Sequence, residues 1–366
     1  MNTYRAIGLM SGSSLDGLDI AYCQFEYEDG KWTYQIIEAD CVPYPQKWKL
    51  RLKKLNLQNA MTYVKTHTFY GHFLGEMVND FCEKYNITKD DVDLIASHGH
   101  TVFHDPRNRL SSQIGDGAAI ASRTGMTVIT NLRNSDLAAG GEGAPIVPIG
   151  DKHLFGEHLF CLNLGGIANI SCKLENGDVL GYDVTACNLI LNALAQIIGD
   201  EYDDGGRFAA SGEVVHDLLA DLNNMPYYKK GHPKSLNNGW AYWTLNNVIN
   251  KYRIRPTDKL RTFCEHIVVQ IAKEVNNLHN NEEVLKSAKP SMLITGGGAH
   301  NAFLIKCLSA VSPVEIVIPD TKTIEFKEAM LMAFIGVLRW RNEPNCLGAT
   351  TGATKDTING AIYHGN

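Results

Sequence analysis

The sequence predicts an α/β protein of two domains, and three observations carry that expectation. Short apolar strands alternate with amphipathic helical stretches along the whole chain. Two strand–turn–strand segments with small-residue turns, near Gly12 and Gly165, lie roughly 155 residues apart and repeat one design. The length, 366 residues, is that of about two domains.

The elements follow in order. Tyr4 to Leu9 reads as a strand, a polar Gly-rich turn follows, and Leu18 to Tyr22 resumes as a second strand. Trp32 to Val42 is the third. Tyr70, Leu74, Met77, Val78, Phe81 and Tyr85 recur at helical spacing. Asp93 to Ser97 reads as a buried strand that ends in a polar loop, His98-Gly-His100, and Thr127 to Thr130 as a short strand before a Gly- and Pro-rich loop from Arg133 to Pro148. A domain crossing is expected there. Phe160 to Leu164, Gly165-Gly166 and Ile167 to Cys172 form the second strand–turn–strand, with an Asn176-Gly177 hairpin turn beyond it. Asn188 to Ile198 and Leu260 to Leu278 read as helices, Ser291 to Thr295 as a buried strand closed by Gly296-Gly-Gly298, Val314 to Ile318 as a strand, and Lys327 to Trp340 as an apolar helix.

Composition excludes several classes of function. Hydrophobic residues are 44% and charged residues 20%, enough apolar side chain for a core, so a disordered chain is excluded. The formal charge of −6 lacks the basic excess of a nucleic-acid binder. No run of about 20 apolar residues marks a membrane span, and the first residues lack the apolar core of a signal peptide. Nine dispersed cysteines with no CxxC pair read as reduced thiols, which places the expected location in the cytoplasm. Homodimers are common among soluble enzymes, and the sequence is compatible with one without specifying the oligomeric state.

Three Gly-rich turns at strand ends suit a polyanion, because successive backbone N–H groups form a concave anion site where no side chain blocks the approach. Ser13 and Ser14 add hydroxyls, and Asp16 or Asp19 offers oxygen ligands to Mg²⁺. Neither a P-loop nor a GxGxxG helix start occurs, so phosphate would be gripped by hairpin turns. His98, His100 and His104 offer either a metal site or hydrogen bonds to a substrate. Asp183, between an apolar strand and an apolar helix, reads equally as a general base or as a carboxylate that stabilises a helix N-terminus. Glu328 carries the same two readings.

Together these segments resemble the anhydro-N-acetylmuramic acid kinases, sugar kinases of the actin/Hsp70/hexokinase-like superfamily. The resemblance rests on Gly8-Leu-Met-Ser-Gly-Ser-Ser-Leu-Asp-Gly-Leu-Asp19, Ser97-His-Gly-His-Thr-Val-Phe-His-Asp-Pro106, Gln113-Ile-Gly-Asp116, Arg133 through Pro148, Asn163-Leu-Gly-Gly-Ile-Ala-Asn-Ile170, Pro233-Lys-Ser235, Gly296-Gly-Gly-Ala-His-Asn301, Glu328-Ala-Met330 and Thr351-Gly-Ala353. It implies a two-domain actin-like, ribonuclease H-like fold with ATP and sugar in the interdomain cleft. Residues 1–130 with about 340–366 would form the N-terminal domain and residues 131–339 the C-terminal one.

The resemblance further implies that Gly12, Ser13, Ser14, Leu15, Asp16, Gly17, Leu18 and Asp19 form the first phosphate loop. Asn163, Gly165 and Gly166 would form the second, and Gly296, Gly297 and Gly298 the adenosine-side loop. Asp183 would be the catalytic base, Glu328 a second carboxylate, and His98, His100, Arg133, Gly141 and Asn188 would face the sugar. ATP and Mg²⁺ are the implied cofactors. The implied reaction opens the 1,6-anhydro ring with water while O6 is phosphorylated, giving N-acetylmuramic acid 6-phosphate in cell-wall sugar recycling.

The chain departs from the family pattern at four places. Val184-Thr-Ala-Cys-Asn188 stands for Thr-Gly-Pro-Gly-Asn, Asn131-Leu-Arg133 for Asp-Phe-Arg, His98-Gly-His100 for His-Gly-Gln, and Asn237-Asn-Gly239 for Gly-Arg-Glu. These departures motivate two alternatives: a kinase for another anhydro-sugar such as levoglucosan, and a nucleotide-binding regulator without turnover.

Overall fold

The first strand, β1 (Asn2–Ser11), is apolar at Ile7 and Leu9 and pairs antiparallel with β2 (Gly17–Glu28), which pairs antiparallel with β3 (Lys31–Pro43). In the computed structural model, which describes residues 2–12, 15–232 and 234–365, this meander opens a sheet that continues on the other side of β1. There β4 (Leu94–Asp105) lies parallel to β1, and β6 (Val128–Thr130) lies parallel to β4. Strand β5 (Leu110–Ile114) folds back on the far half of β4.

The second sheet repeats the plan. Strands β7 (Phe160–Leu164), β8 (Ile167–Lys173) and β9 (Val179–Ala186) form an antiparallel meander, while β10 (Ser291–Thr295) lies parallel to β7 and β11 (Glu315–Val317) parallel to β10. A last strand, β12 (Ala361–Tyr363), returns to pair with β6 in the first sheet. Leaving aside the β5 hairpin and β12, both sheets have the spatial order 3-2-1-4-5 in their own strand numbers. This shared order agrees with the ribonuclease H-like fold that the resemblance implies, and it shows the duplication that weak sequence similarity only hinted at.

The chain divides into one unit of Met1–Leu154 with Phe326–Asn366, and a second of Phe155–Glu325. In the first unit, α1 (Ala60–Tyr85) buries Tyr70, Leu74, Val78 and Phe81 in a core shared with β1 and β2. The helix is stopped by Asn86, whose left-handed backbone suits asparagine better than most residues. In the second unit, α2 (Asn188–Ile198) and α3 (Pro256–His279) pack Leu191, Leu194, Phe263 and Ile267 into one core with Phe160 and Leu162.

The long helix α4 (Thr321–Trp340) begins before the unit boundary and completes the first unit. Its residues Ala329 to Ile335 are almost fully buried. Glycine makes this packing possible: a Cβ on Gly8 would stand 1.8 Å from the Ala329 carbonyl oxygen, and one on Gly336 would stand 2.5 Å from the Ala96 Cβ. Helix and sheet thus meet nearly backbone to backbone, which fixes α4 and its Glu328 relative to the end of β1.

Three local expectations are corrected. His98, Gly99 and His100 continue β4 rather than forming a loop, since the strand runs on to Asp105 and pairs with β5. The loop from Arg133 to Pro148 contains a short helix, Asn134–Ala138. Helix α4 starts at Thr321, capped by Asp320 accepting from the Thr323 N–H (3.0 Å), so Glu328 is two turns inside and has no part in the helix start.

Candidate active site

In the first unit the β1–β2 connection holds Gly12, Leu15, Asp16 and Gly17; Ser13 and Ser14 lie outside the described residues. Leu15 has a left-handed backbone (φ 61°), the kind of local strain that a functional turn keeps. Asp16 is exposed and Asp19 half-buried, whereas Leu18 turns its side chain into the core. A Cβ on Gly17 would strike the Val42 carbonyl oxygen at 2.7 Å, so this glycine lets the turn press against β3. The Cys41 thiol donates to the Asp19 carboxylate, and burial together with this bond pushes that thiol up to about 12, so it stays protonated and unreactive.

Glu328 meets solvent but is crowded on its sides by protein. That desolvation raises its pKa above the usual glutamate value, and the Asp19 charge raises it further; Lys327 and Arg133 oppose the rise. Behind it, the Lys327 ammonium makes a buried ion pair with Asp151 at 2.9 Å, both side chains 7% exposed.

Of the three histidines of β4, His98 and His100 are buried and neutral. His98 donates through Nδ1 to its neighbouring Gly99 carbonyl (3.0 Å), and its Nε2 accepts from Arg133 Nε (2.9 Å). His100 Nδ1 lies 3.0 Å from Ser11 Oγ. Ser11 Oγ accepts from the Tyr44 hydroxyl (2.8 Å), which in turn meets the Tyr70 hydroxyl. Ser11 is buried, and its hydroxyl has His100 Nδ1 as an acceptor within reach as well as the tyrosine pair. When Ser11 donates to Nδ1, the His100 proton lies on Nε2, which has no protein partner among the described residues and can donate to a ligand. Burial, with the Arg133 charge second, pushes His98 down to about 3, and burial pushes His100 down to about 4. The three histidines therefore serve different partners, His104 meeting Ser111, and among the described residues no cluster of three or more His, Cys, Asp or Glu could hold a metal.

These buried neutral imidazoles, with His266 at about 3, make stability pH-dependent. Their folded pKa values are depressed, so the stability they contribute is present above about 6.5 and is lost as pH falls towards 4 and 3. The melting temperature is expected to fall steadily below pH 6.5, each histidine costing up to about 1.4 kcal/mol per pH unit. A flat melting temperature from pH 7 to 5 would contradict the assignment.

Arg133 also donates to the Gly143 carbonyl, and buried Asp136 accepts from the Gly143 N–H (2.8 Å) and the Thr351 hydroxyl (2.7 Å). A Cβ on Gly141 would stand 2.3 Å from the Asp136 carboxylate. The Gly140–Gly143 segment is thus fastened to Arg133 and Asp136.

In the second unit the β7–β8 turn, the end of β10 and the start of α2 meet. The Gly165 and Gly166 carbonyls accept from the N–H groups of Asn188 (3.1 Å) and Cys187 (2.9 Å), and the Asn188 amide donates to the Leu164 carbonyl (2.8 Å). A Cβ on Gly296 would stand 2.4 Å from Asn163 Oδ1, and one on Gly298 2.6 Å from the Leu164 Cβ, so both are needed for this contact. At Gly297 the nearest atom would be 3.8 Å away, so this glycine leaves its backbone bare to a ligand, whereas a Cβ on Gly165 would stand 3.3 Å from Asn163 Nδ2. The structure therefore joins Asn163, Gly165, Gly166, Gly296, Gly297, Gly298 and Asn188 into one cradle.

Asp183 lies inside β9, opposite Asn169, and four residues separate it from the start of α2. The helix-terminus reading therefore falls away. Its carboxylate is half-buried. Oδ2 accepts from the Leu236 N–H (2.8 Å), and Oδ1 has no protein partner among the described residues. Burial raises its pKa above the usual aspartate value, and the Leu236 bond opposes the rise. Such a carboxylate, fixed through one oxygen and free at the other, suits a general base. The residues of the altered segment, Val184 to Cys187, are all buried and fill the core of this unit.

A family model for anhydro-N-acetylmuramic acid kinase matches residues 4–365. The chain belongs to the anhydro-N-acetylmuramic acid kinase family. Curated relatives of that name include one from Sulfurovum sp. (strain NBC37-1), 34% identical with 99% of this chain and 100% of the relative covered. Another, from Photobacterium profundum, is 33% identical with 98% of each chain covered. Among solved structures, the activator of 2-hydroxyisocaproyl-CoA dehydratase from Clostridium difficile with bound ADPNP gives a TM-score of 0.45 at 13% identity over 92% of this chain and 97% of its own, too distant to bear on the site. The chain is a kinase, a phosphotransferase that uses ATP. Among the described residues no helix is long and apolar enough to cross a membrane.

Reasoning from sequence did not find the Tyr44 and Tyr70 hydroxyls or the partners of Lys234. Aromatic residues at those positions carry no signal that separates a hydroxyl relay from core packing.

Proposed function

We propose that this chain phosphorylates O6 of 1,6-anhydro-N-acetylmuramic acid while water opens the anhydro ring. The observation that carries this reading is Asp183, a half-buried carboxylate with one oxygen fixed and the other free. Asp183 takes a proton from water as the water oxygen bonds to C1. The C1–O6 bond breaks and its electron pair stays on O6. O6 then bonds to the γ-phosphorus, whose bond to the bridging oxygen breaks to release ADP. Sugar, water and ATP thus give N-acetylmuramic acid 6-phosphate, ADP and a proton, a reaction suited to cytoplasmic recycling of wall sugars.

In the second unit, the open backbone of Gly297 beside the Gly165–Gly166 turn receives ATP atoms. Asp16 and Asp19 offer carboxylate oxygens that suit Mg²⁺, which keeps several waters and shares phosphate oxygens. When bound it would neutralise charge on the transferred phosphoryl group. Glu328 is the second carboxylate, its charge coupled to that of Asp19. On the sugar side, His100 Nε2 donates to an oxygen acceptor while Ser11 donates to Nδ1, and Arg133, His98 and Gly141 hold the neighbouring segment.

The departure at Val184 to Cys187 is inward-facing, so it does not by itself argue for a different sugar. Competition between 1,6-anhydro-N-acetylmuramic acid and levoglucosan tests the substrate. The proposal expects preference for the muramic sugar. Preference for levoglucosan would reassign the acceptor, and ATP binding with no ADP release over either sugar would leave a nucleotide-binding regulator.

A further inference from the structure

Lys234 is an unusual lysine: its side chain is 3% exposed, on an irregular segment rather than in a helix or strand. Its ammonium donates to Glu274 Oε1 on α3 at 2.6 Å and lies 5.4 Å from the ring centre of Tyr182 and 5.3 Å from that of Tyr227. All of its cage partners lead back to Asp183. Tyr182 precedes the base in β9, and its hydroxyl donates to Glu274 Oε2 (3.0 Å). The Tyr227 hydroxyl donates to the Asp183 carbonyl (2.6 Å). The Asp183 N–H donates to the Lys234 carbonyl (3.2 Å), and two residues on, the Leu236 N–H donates to the Asp183 carboxylate.

We propose that Lys234 is a positioning residue: its caged ammonium staples the 234–236 segment to β9, so that the Leu236 N–H fixes one oxygen of Asp183 and aims the other at water. The proposal rests on the reading of Asp183 as the base. The physical argument is that a buried ammonium persists only where a carboxylate and aromatic faces replace its water, so this cage has one low-energy geometry. The segment it holds carries the only protein hydrogen bond made to the Asp183 carboxylate among the described residues. The titratable groups around Asp183 are Tyr182 on its own strand, Tyr227 from the segment before the cage, His232 stacked on Tyr182, Lys234, and Glu274 from α3.

The test compares sugar-dependent ADP release of the full chain across pH for the parent, Lys234→Met, Lys234→Arg and Asp183→Asn. Lys234→Met is expected to lower kcat about 100-fold, the size of effect a small misplacement of a catalytic group produces, with KM for ATP unchanged. Losing the Leu236 bond removes a contact that favours the charged carboxylate, so the acid limb of the profile moves to higher pH. Lys234→Arg, which keeps the charge, restores part of kcat and returns the limb towards the parent. Parent-like kcat and an unmoved limb in Lys234→Met, with Asp183→Asn inactive, would overturn the role of Lys234 alone. Full turnover in Asp183→Asn would overturn the base itself. Should Lys234→Met not fold, Glu274→Gln keeps the shape of the cage and removes the carboxylate charge that holds the ammonium. It should lower kcat with the same shift of the limb, and an unchanged profile in that variant would overturn the proposal.

Discussion

Asp183→Asn is expected to abolish sugar-dependent turnover while ATP still binds. General-base assistance is worth about 10²–10⁴ in rate, and asparagine keeps the shape of the carboxylate and an oxygen for the Leu236 N–H while losing the ability to take a proton. ATP binding is expected to persist because the cradle of Gly165, Gly166 and Gly296–Gly298 is built from contacts that do not include Asp183. The same substitution should not cost stability. The folded pKa of Asp183 is raised, so the stability linked to this group is present at low pH and is lost as pH rises through that value. At neutral pH the ionised carboxylate is therefore a cost to the fold, and removing its charge should leave the melting temperature equal or higher. Turnover measured by coupled ADP release, ATP affinity by calorimetry and melting by scanning together check this. Retained turnover, or a large loss of stability, would contradict it. A destabilising group kept in place is what a functional carboxylate looks like in physical terms.

The second large effect is structural. Lys327→Ala is expected to destabilise the protein by about 3–5 kcal/mol, because it removes an ammonium that stands 2.9 Å from the buried Asp151 carboxylate together with its packing. The double variant Lys327→Met with Asp151→Asn should recover most of that loss, since burying two neutral groups avoids both desolvation penalties. Denaturant unfolding of the single and double variants measures the difference. Equal loss in both would mean that packing, not charge, holds this contact. Because Lys327 precedes Glu328 on α4 and the helix rests on Gly8, the single variant should also lower activity more than ATP affinity.

Much of this arrangement was legible in the residues, and the exceptions have physical reasons. Asn188–Ile198 and Ser291–Thr295 appear with the bounds their apolar patterns indicate, since nothing competes with burial there. The paired meanders were legible as Gly-rich turns between alternating strands, and the structure turns that hint into two sheets of one strand order. The end of β4 was not legible. His98 and His100 look like loop residues by polarity, but each finds a polar partner, half-buried Arg133 or buried Ser11, that lets a polar side chain remain in a strand. The start of α4 was missed because Thr321 to Phe326 is largely polar, while the cap that begins the helix is a single aspartate, Asp320. Lys234 and Glu274 are forty residues apart, and only the packing of α3 beside β9 makes them a pair.

The central claim is that water enters at C1 as O6 takes the phosphoryl group. Incubation of the parent protein with Mg-ATP and 1,6-anhydro-N-acetylmuramic acid, followed by coupled ADP release and the mass of the sugar product, tests it most directly. The account predicts sugar-stimulated ADP release and a product heavier than the starting sugar by one water and one phosphoryl group, with a free reducing end. A phosphorylated product that keeps the anhydro ring, or ADP release indifferent to the sugar, would contradict it.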